Sequence, residues 1–226
     1  VTEQLDRRAD TTRQQILRAA SRQFARKSYS LVSLDDILAD AEVTKGAMYF
    51  HFRSKHALAA AIVEHRFELA SASVDGLLAR KLSGLETLID IVYLVAVEDI
   101  GDEVARAGLN LLESVGRSDG LQAHVLGQWA DAFTAIAEKA IRDGDIIEGR
   151  DPRSIAKLLV SMYLGLRQTS SLAQPAQFLS DLENLWVLAL NGFAEPDRID
   201  YLLQFLKRRT AVAQKNATPI EETVLG

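Results

Sequence analysis

Val43-Thr44-Lys45-Gly46-Ala47-Met48-Tyr49-Phe50-His51-Phe52 has the pattern of a short capped helix built to meet something outside the chain. Thr44 suits the N-cap, because its hydroxyl accepts a hydrogen bond from an amide that the first helical turn leaves free. Gly46 is the odd member. In a helix interior Gly costs about 1 kcal/mol against Ala, so its presence points to a close approach of another body to the backbone. A phosphate or a base edge is the natural candidate. Lys45, Tyr49 and His51 add a cation, a phenol and an imidazole, each able to donate to phosphate oxygens or base acceptors. Ala47, Phe50 and Phe52 are expected to face inward.

Working outward, Ala41-Glu42-Val43 forms a turn, and Ser33-Leu34-Asp35-Asp36 before it opens a short helix as a capping box, with Leu34, Ile37 and Leu38 apolar. A first helix is expected from near Asp10-Thr11-Thr12, carrying Ile16, Leu17, Ala20 and Phe24 on one face at helical spacing. Its Arg13, Arg18, Arg22 and Arg26 read as a solvated face. After Phe52, Ser54 caps a long helix from about Lys55 to about Leu82, with Leu58, Ala61, Ile62, Phe67, Leu69 and Leu77 as apolar positions. Lys55 at its start is placed to touch phosphate, and this helix is the covalent link from head to body.

The net charge of −5 argues against a protein that coats nucleic acid, but the charges are unevenly spread. Residues 1–56 hold ten Lys/Arg against seven Asp/Glu, so a basic head precedes an acidic remainder. Such a chain docks its head on DNA and keeps its body off it. No cysteine is present, which rules out disulfides and thiolate metal sites and fits a cytosolic protein. No apolar run reaches the roughly 18 residues of a membrane span, and no secretory signal opens the chain. A cytoplasmic protein without a membrane partner is expected.

Beyond Leu82, Gly84, Gly101, Gly116, Gly120, Gly144, Gly149, Pro152, Pro175 and Pro196 punctuate periodic segments. Helices are predicted at about 85–99, 103–115, 121–143, 152–172, 176–194 and 197–213, and no segment reads as a strand. The polar tail after Gln214 is expected to be disordered. The fold class is therefore all-α, with a three-helix helix-turn-helix domain over residues 1–54 and a larger helical bundle over residues 55–226. The segment 85–99 is apolar nearly all round, as a helix in the middle of a bundle should be.

Tyr93, Trp129, Phe133, Tyr163, Phe178, Trp186, Phe193, Tyr201 and Phe205 are spread through the body and read first as core packing. Trp129 and Phe133, at i and i+4, share a helix face and are the best candidates for a pocket wall. Segments 152–172 and 176–194 carry enough apolar surface to bury one face internally and another against a second copy, the alternative being a monomer that buries both. His51, His56, His65 and His124 form no metal-binding pair, and no glycine-rich phosphate loop is present, so neither an enzyme nor a bound cofactor is expected.

The run Val43 to Lys55, with its Thr-Lys-Gly-Ala-x-Tyr-Phe-His-Phe-x-Ser-Lys pattern, resembles the tetracycline-repressor (TetR) family of bacterial transcription regulators. The resemblance implies a homodimeric repressor that binds a palindromic double-stranded operator through helix 44–50 and is released by a small-molecule effector. Carried onto this chain, it makes Ser33, Thr44, Lys45, Gly46, Tyr49, His51 and Lys55 the DNA-contact candidates. The family commonly has Gly where this chain has Ser28 and Glu42, and an L-residue in a left-handed turn loses about 1–2 kcal/mol, which points to a reshaped turn. Glu42 also brings a negative charge near the expected phosphates. In the body, Gln128-Trp129, Asp143-Gly144-Asp145 and Asp151 to Gly165 are similar to the γ-butyrolactone-receptor branch, in which a tryptophan lines the signal-molecule pocket. That makes Tyr93, Trp129, Phe133 and Tyr163 the effector-site candidates. A helical enzyme or carrier, and a DNA binder without ligand response, are the alternatives.

Overall fold

The computed structural model describes residues 2–117 and 120–221, with side chains from residue 10 onward. The described residues form ten α-helices: α1 (Thr2–Arg26), α2 (Leu34–Ala41), α3 (Lys45–His51), α4 (Lys55–Leu78), α5 (Gly84–Gly101), α6 (Glu103–Ser114), α7 (Leu121–Arg142), α8 (Pro152–Thr169), α9 (Pro175–Phe193) and α10 (Pro196–Asn216). The glycine and proline punctuation located the later helices to within a few residues. Pro152, Pro175 and Pro196 open their helices, where a missing N–H removes no internal bond.

The chain divides into two compact units. One comprises the residues up to Leu69 with Asp102–Ala123, the other Ala70–Gly101 with the residues from His124 onward. In the first, Ile16, Ala20 and Phe24 of α1 are fully buried. α6 packs along α1, with Asn110 donating to the Phe24 carbonyl at 3.0 Å and Arg26 meeting Glu103 at 2.7 Å. α1 begins at Thr2 and not near Asp10, so the oxygens at positions 10–12 lie inside the helix. α4 ends at Leu78, a turn short of the expected Leu82.

In the second unit every residue from Leu85 to Tyr93 of α5 is buried, acids included. Burying a carboxylate is tolerable only with a partner, and each acid here has one. Tyr201 hydrogen-bonds Glu86, Arg209 meets Asp90 at 2.8 Å, and Arg167 meets Asp99 at 2.6 Å. Desolvation still raises the Asp90 carboxyl above its ordinary pKa, against the pull of Arg209 and Arg80. One isolated bridge, Ile146 with Ala194, ties the α7–α8 connection to the end of α9.

The tail differs from expectation. α10 continues to Asn216, and in the segment after it Ile220 is buried and donates its N–H to the Ile100 carbonyl at 3.1 Å. That bond satisfies one of the carbonyls left open at the end of α5. Gly101 makes room for it, since a Cβ there would stand 2.8 Å from the Thr218 oxygen. Residues 222–226 lie outside the described residues.

Candidate nucleic-acid interface

The α2–turn–α3 element is closed at each joint by a local hydrogen bond that its sequence supplies. Ser33 caps α2 by accepting from the Asp36 amide at 3.0 Å, and Thr44 caps α3 by accepting from the Ala47 amide at 3.2 Å. Between them Glu42 sits at φ 55°, ψ 38°, the one non-glycine residue with positive φ among those described. Its N–H donates to the Ala39 carbonyl and that of Val43 to the Leu38 carbonyl. This is the Schellman arrangement, whose left-handed position glycine usually fills. The turn is therefore kept rather than reshaped, and Glu42 bears the strain. Ser28 has no positive φ and carries none.

Relief of that strain is testable. Glu42→Gly is expected to raise stability by about 0.5–1 kcal/mol, because the left-handed penalty exceeds the extra entropy of an unfolded Gly. It should also tighten DNA binding by removing an acid beside the recognition helix. Thermal melting and operator titration of the variant check both; weaker binding would show that Glu42 itself serves recognition.

One ion pair and two cations hold the element in place. Arg22 of α1 grips both Asp40 oxygens, at 3.1 and 2.8 Å, which raises the guanidinium and lowers the carboxyl pKa. The arginine face of α1 is thus only partly a solvated one. Lys55 donates to the Tyr29 carbonyl and lies 4.3 Å from its ring centroid, and the resulting desolvation lowers its pKa. Arg13 stands 5.3 Å from the Phe52 ring.

α3 itself is anchored by Met48, which is fully buried, and Phe52 is buried just beyond its end. Phe50 is not turned inward: it is 80 % exposed. Lys45, Gly46 and Tyr49 are exposed too, while Ala47 and His51 are half-buried. Lys45, Gly46, Tyr49 and Phe50 therefore make one outward surface. Of the other predicted contacts, Ser33 and Thr44 are exposed caps, and Lys55 is the one whose charged end is already engaged.

The body candidates fall into two kinds. Tyr93 and Tyr163 are buried with their hydroxyls committed, Tyr93 to Thr210 at 2.7 Å and Tyr163 to Asp99 at 2.9 Å. Burial raises the Tyr93 phenol pKa well above its ordinary value. Trp129 and Phe133 are half-buried on α7. None of the four lines the groove between α8 and α9, whose volume is about 560 Å³ and whose walls include Ile155, Leu158, Met162, Leu185, Leu188 and Phe193. The buried carboxylates of α5 escaped sequence reasoning; their sequence signal was the acids at 86, 90 and 99, which with Glu98 interrupt a largely apolar helix.

Comparison with known proteins agrees with this geometry. Residues 16–62 match the family described as "Bacterial regulatory proteins, tetR family", and residues 82–195 match "Tetracyclin repressor-like, C-terminal domain". The chain is similar to the A-factor receptor protein of Streptomyces griseus, 30% identical over 197 residues, which cover 86% of this chain and 68% of that protein. Among solved structures it is similar to a gamma-butyrolactone receptor (ArpA-like protein), with TM-score 0.77, 30% identity, and 91% of this chain and 99% of that one covered. CprB of Streptomyces coelicolor, solved in complex with its biological operator sequence, gives TM-score 0.76 and 29% identity, with 91% and 99% covered. With both matched regions in place and the α2–turn–α3 element formed as its caps require, this chain belongs to the tetR family of bacterial regulatory proteins and is a DNA-binding transcriptional regulator.

Proposed function

We propose that the chain is a cytoplasmic homodimeric repressor that binds a palindromic operator through α3 and is released by a small effector of the γ-butyrolactone class. The observation that carries DNA reading is the outward surface of α3, held by a buried Met48 and by caps on either side of the turn. Lys45, Gly46, Tyr49 and His51 supply contacts from the helix, and Ser33 and Thr44 supply them from the caps. Lys55 joins them by exchanging the Tyr29 carbonyl for a phosphate. Residues 1–54 are the reading domain, and residues 55–226 bind the effector and dimerise.

The effector class is supported by the likeness to the A-factor receptor and the gamma-butyrolactone receptor. Trp129 and Phe133, half-buried on α7, and the buried Tyr93 and Tyr163 are the residues that bind the effector. Dimerisation is supported by the α8–α9 face, where Leu158 is 46% and Leu188 71% exposed beside the apolar groove. Contiguous apolar surface of this kind marks an association site. Among the described residues no helix is long and apolar enough to cross a membrane.

Selection from random duplex DNA is expected to return a site with dyad symmetry, its half-sites about 34–36 Å apart or somewhat more. A site without symmetry would contradict the dimer. On the selected site, Lys45→Ala is expected to lower the slope of log affinity against log salt by about one unit per half-site if Lys45 meets phosphate. If it meets guanine instead, the variant should tolerate any base at one position, a discrimination of about 1–3 kcal/mol lost. An unaltered affinity and slope would remove Lys45 from the interface.

A further inference from the structure

We propose that Phe50 reads the C5-methyl group of a thymine in the operator major groove, through a notch that Gly46 leaves open beside it on α3. This rests on the regulator described above and adds to it a residue that sets operator sequence. Phe50 is 80 % exposed, more than any other large hydrophobic side chain described. It projects from the side of α3 opposite the buried Met48. Gly46 lies four residues before Phe50, on the same side of the helix, and the Phe50 ring stays more than 4 Å from where a Gly46 Cβ would stand.

Position 46 is empty for no internal reason. A Cβ on Gly46 would meet nothing closer than the Thr44 hydroxyl oxygen at 4.0 Å, and Gly46 has no positive φ. The fold would accept alanine, a far better helix former. The missing side chain therefore serves a body that approaches from outside, and what is offered to that body is an exposed aromatic ring beside a stretch of bare backbone. The ring is also steadied: His51 meets it edge-on, with centroids 5.0 Å apart and planes at 86°.

Chemistry selects the occupant. Phe50 can neither donate to phosphate nor release counterions, so it contributes nothing to sequence-independent binding. In the major groove thymine alone presents an apolar group, its methyl, and aromatic or aliphatic side chains read it by contact. Lys45 and Tyr49, on the adjoining stripe of α3, supply the polar contacts. Phe50 thus distinguishes thymine from cytosine at one position of each half-site.

The test uses the full chain and its selected operator, with each thymine of the half-site replaced in turn by deoxyuridine, which deletes only the methyl. For the wild type, one position is expected to weaken binding about fourfold, and about fifteenfold when both half-sites carry it. Phe50→Ala should bind the thymine operator more weakly, be indifferent to the deoxyuridine change at that position, and keep the wild-type salt slope. Phe50→Leu should retain part of the methyl preference. Gly46→Ala, which fills the notch, should lose affinity without losing thermal stability. Methyl sensitivity that persists in Phe50→Ala, or a wild type that binds its operator with no sensitive thymine, overturns the proposal alone. A wild type that binds no selected duplex overturns the regulator as well.

Discussion

Trp129→Ala is expected to fold, to bind its operator with nearly wild-type affinity, and to lose effector affinity by about 30- to 150-fold. Taking about 100 Å² of apolar contact from an indole at about 25 cal/mol per Å² gives roughly 2–3 kcal/mol, which converts to that range. An effector shifts the DNA equilibrium only by its differential affinity for the two body conformations, so the variant should repress normally and be released poorly. Core packing predicts another pattern. Trp→Ala in a packed core removes about 3–5 kcal/mol of stability, and operator binding would then fall with the folded population. Trp129 is half-buried, which favours the first outcome. Thermal melting, operator titration and effector response on this one variant separate the two.

The largest effect on stability is expected from Arg167→Met. The Arg167 and Asp99 side chains are 3% and 0% exposed, and the guanidinium meets the carboxylate at 2.6 and 3.3 Å. Removing one partner leaves a charge in a medium that cannot solvate it, at a loss of about 3–5 kcal/mol. Pairing Arg167→Met with Asp99→Asn should recover much of this, because the stranded charge goes with its partner. Tyr163→Phe, which removes only the 2.9 Å bond to Asp99, should lose about 1 kcal/mol. Denaturant midpoints of the three variants check the order. A single Arg167→Met with a wild-type midpoint would mean that Asp99 finds another partner or takes up a proton.

What could be read from the sequence was local. Thr44 and Ser33 cap helices because their hydroxyls reach amides three residues on, and Pro152, Pro175 and Pro196 open helices for reasons contained in their own rings. The left-handed position at Glu42 was readable only because of the resemblance to a family that keeps glycine there. The orientation of α3 was not readable. In seven residues with apolar groups on every side, periodicity cannot choose between Met48 and Phe50; packing in the first unit decides, and it takes the methionine. Nor was the docking of Ile220 visible, since it depends on the Ile100 carbonyl and on a missing side chain at Gly101, far away in the chain. The partners of Asp90 and Asp99 are likewise set by how α5 meets α10 and α8. The early start of α1 was missed because residues 2–9 offer only Leu5 and Ala9 to a helical stripe.

The most direct test of a ligand-released regulator is the operator affinity of the full chain titrated with a series of γ-butyrolactones. One member is expected to bind and to weaken operator affinity by about 5- to 150-fold at saturation, the usual span of a coupling energy of 1–3 kcal/mol. Operator DNA should weaken the binding of that same compound by the same factor. A γ-butyrolactone that binds the protein and leaves operator affinity unchanged, or a series in which none binds, would contradict release by this class of effector.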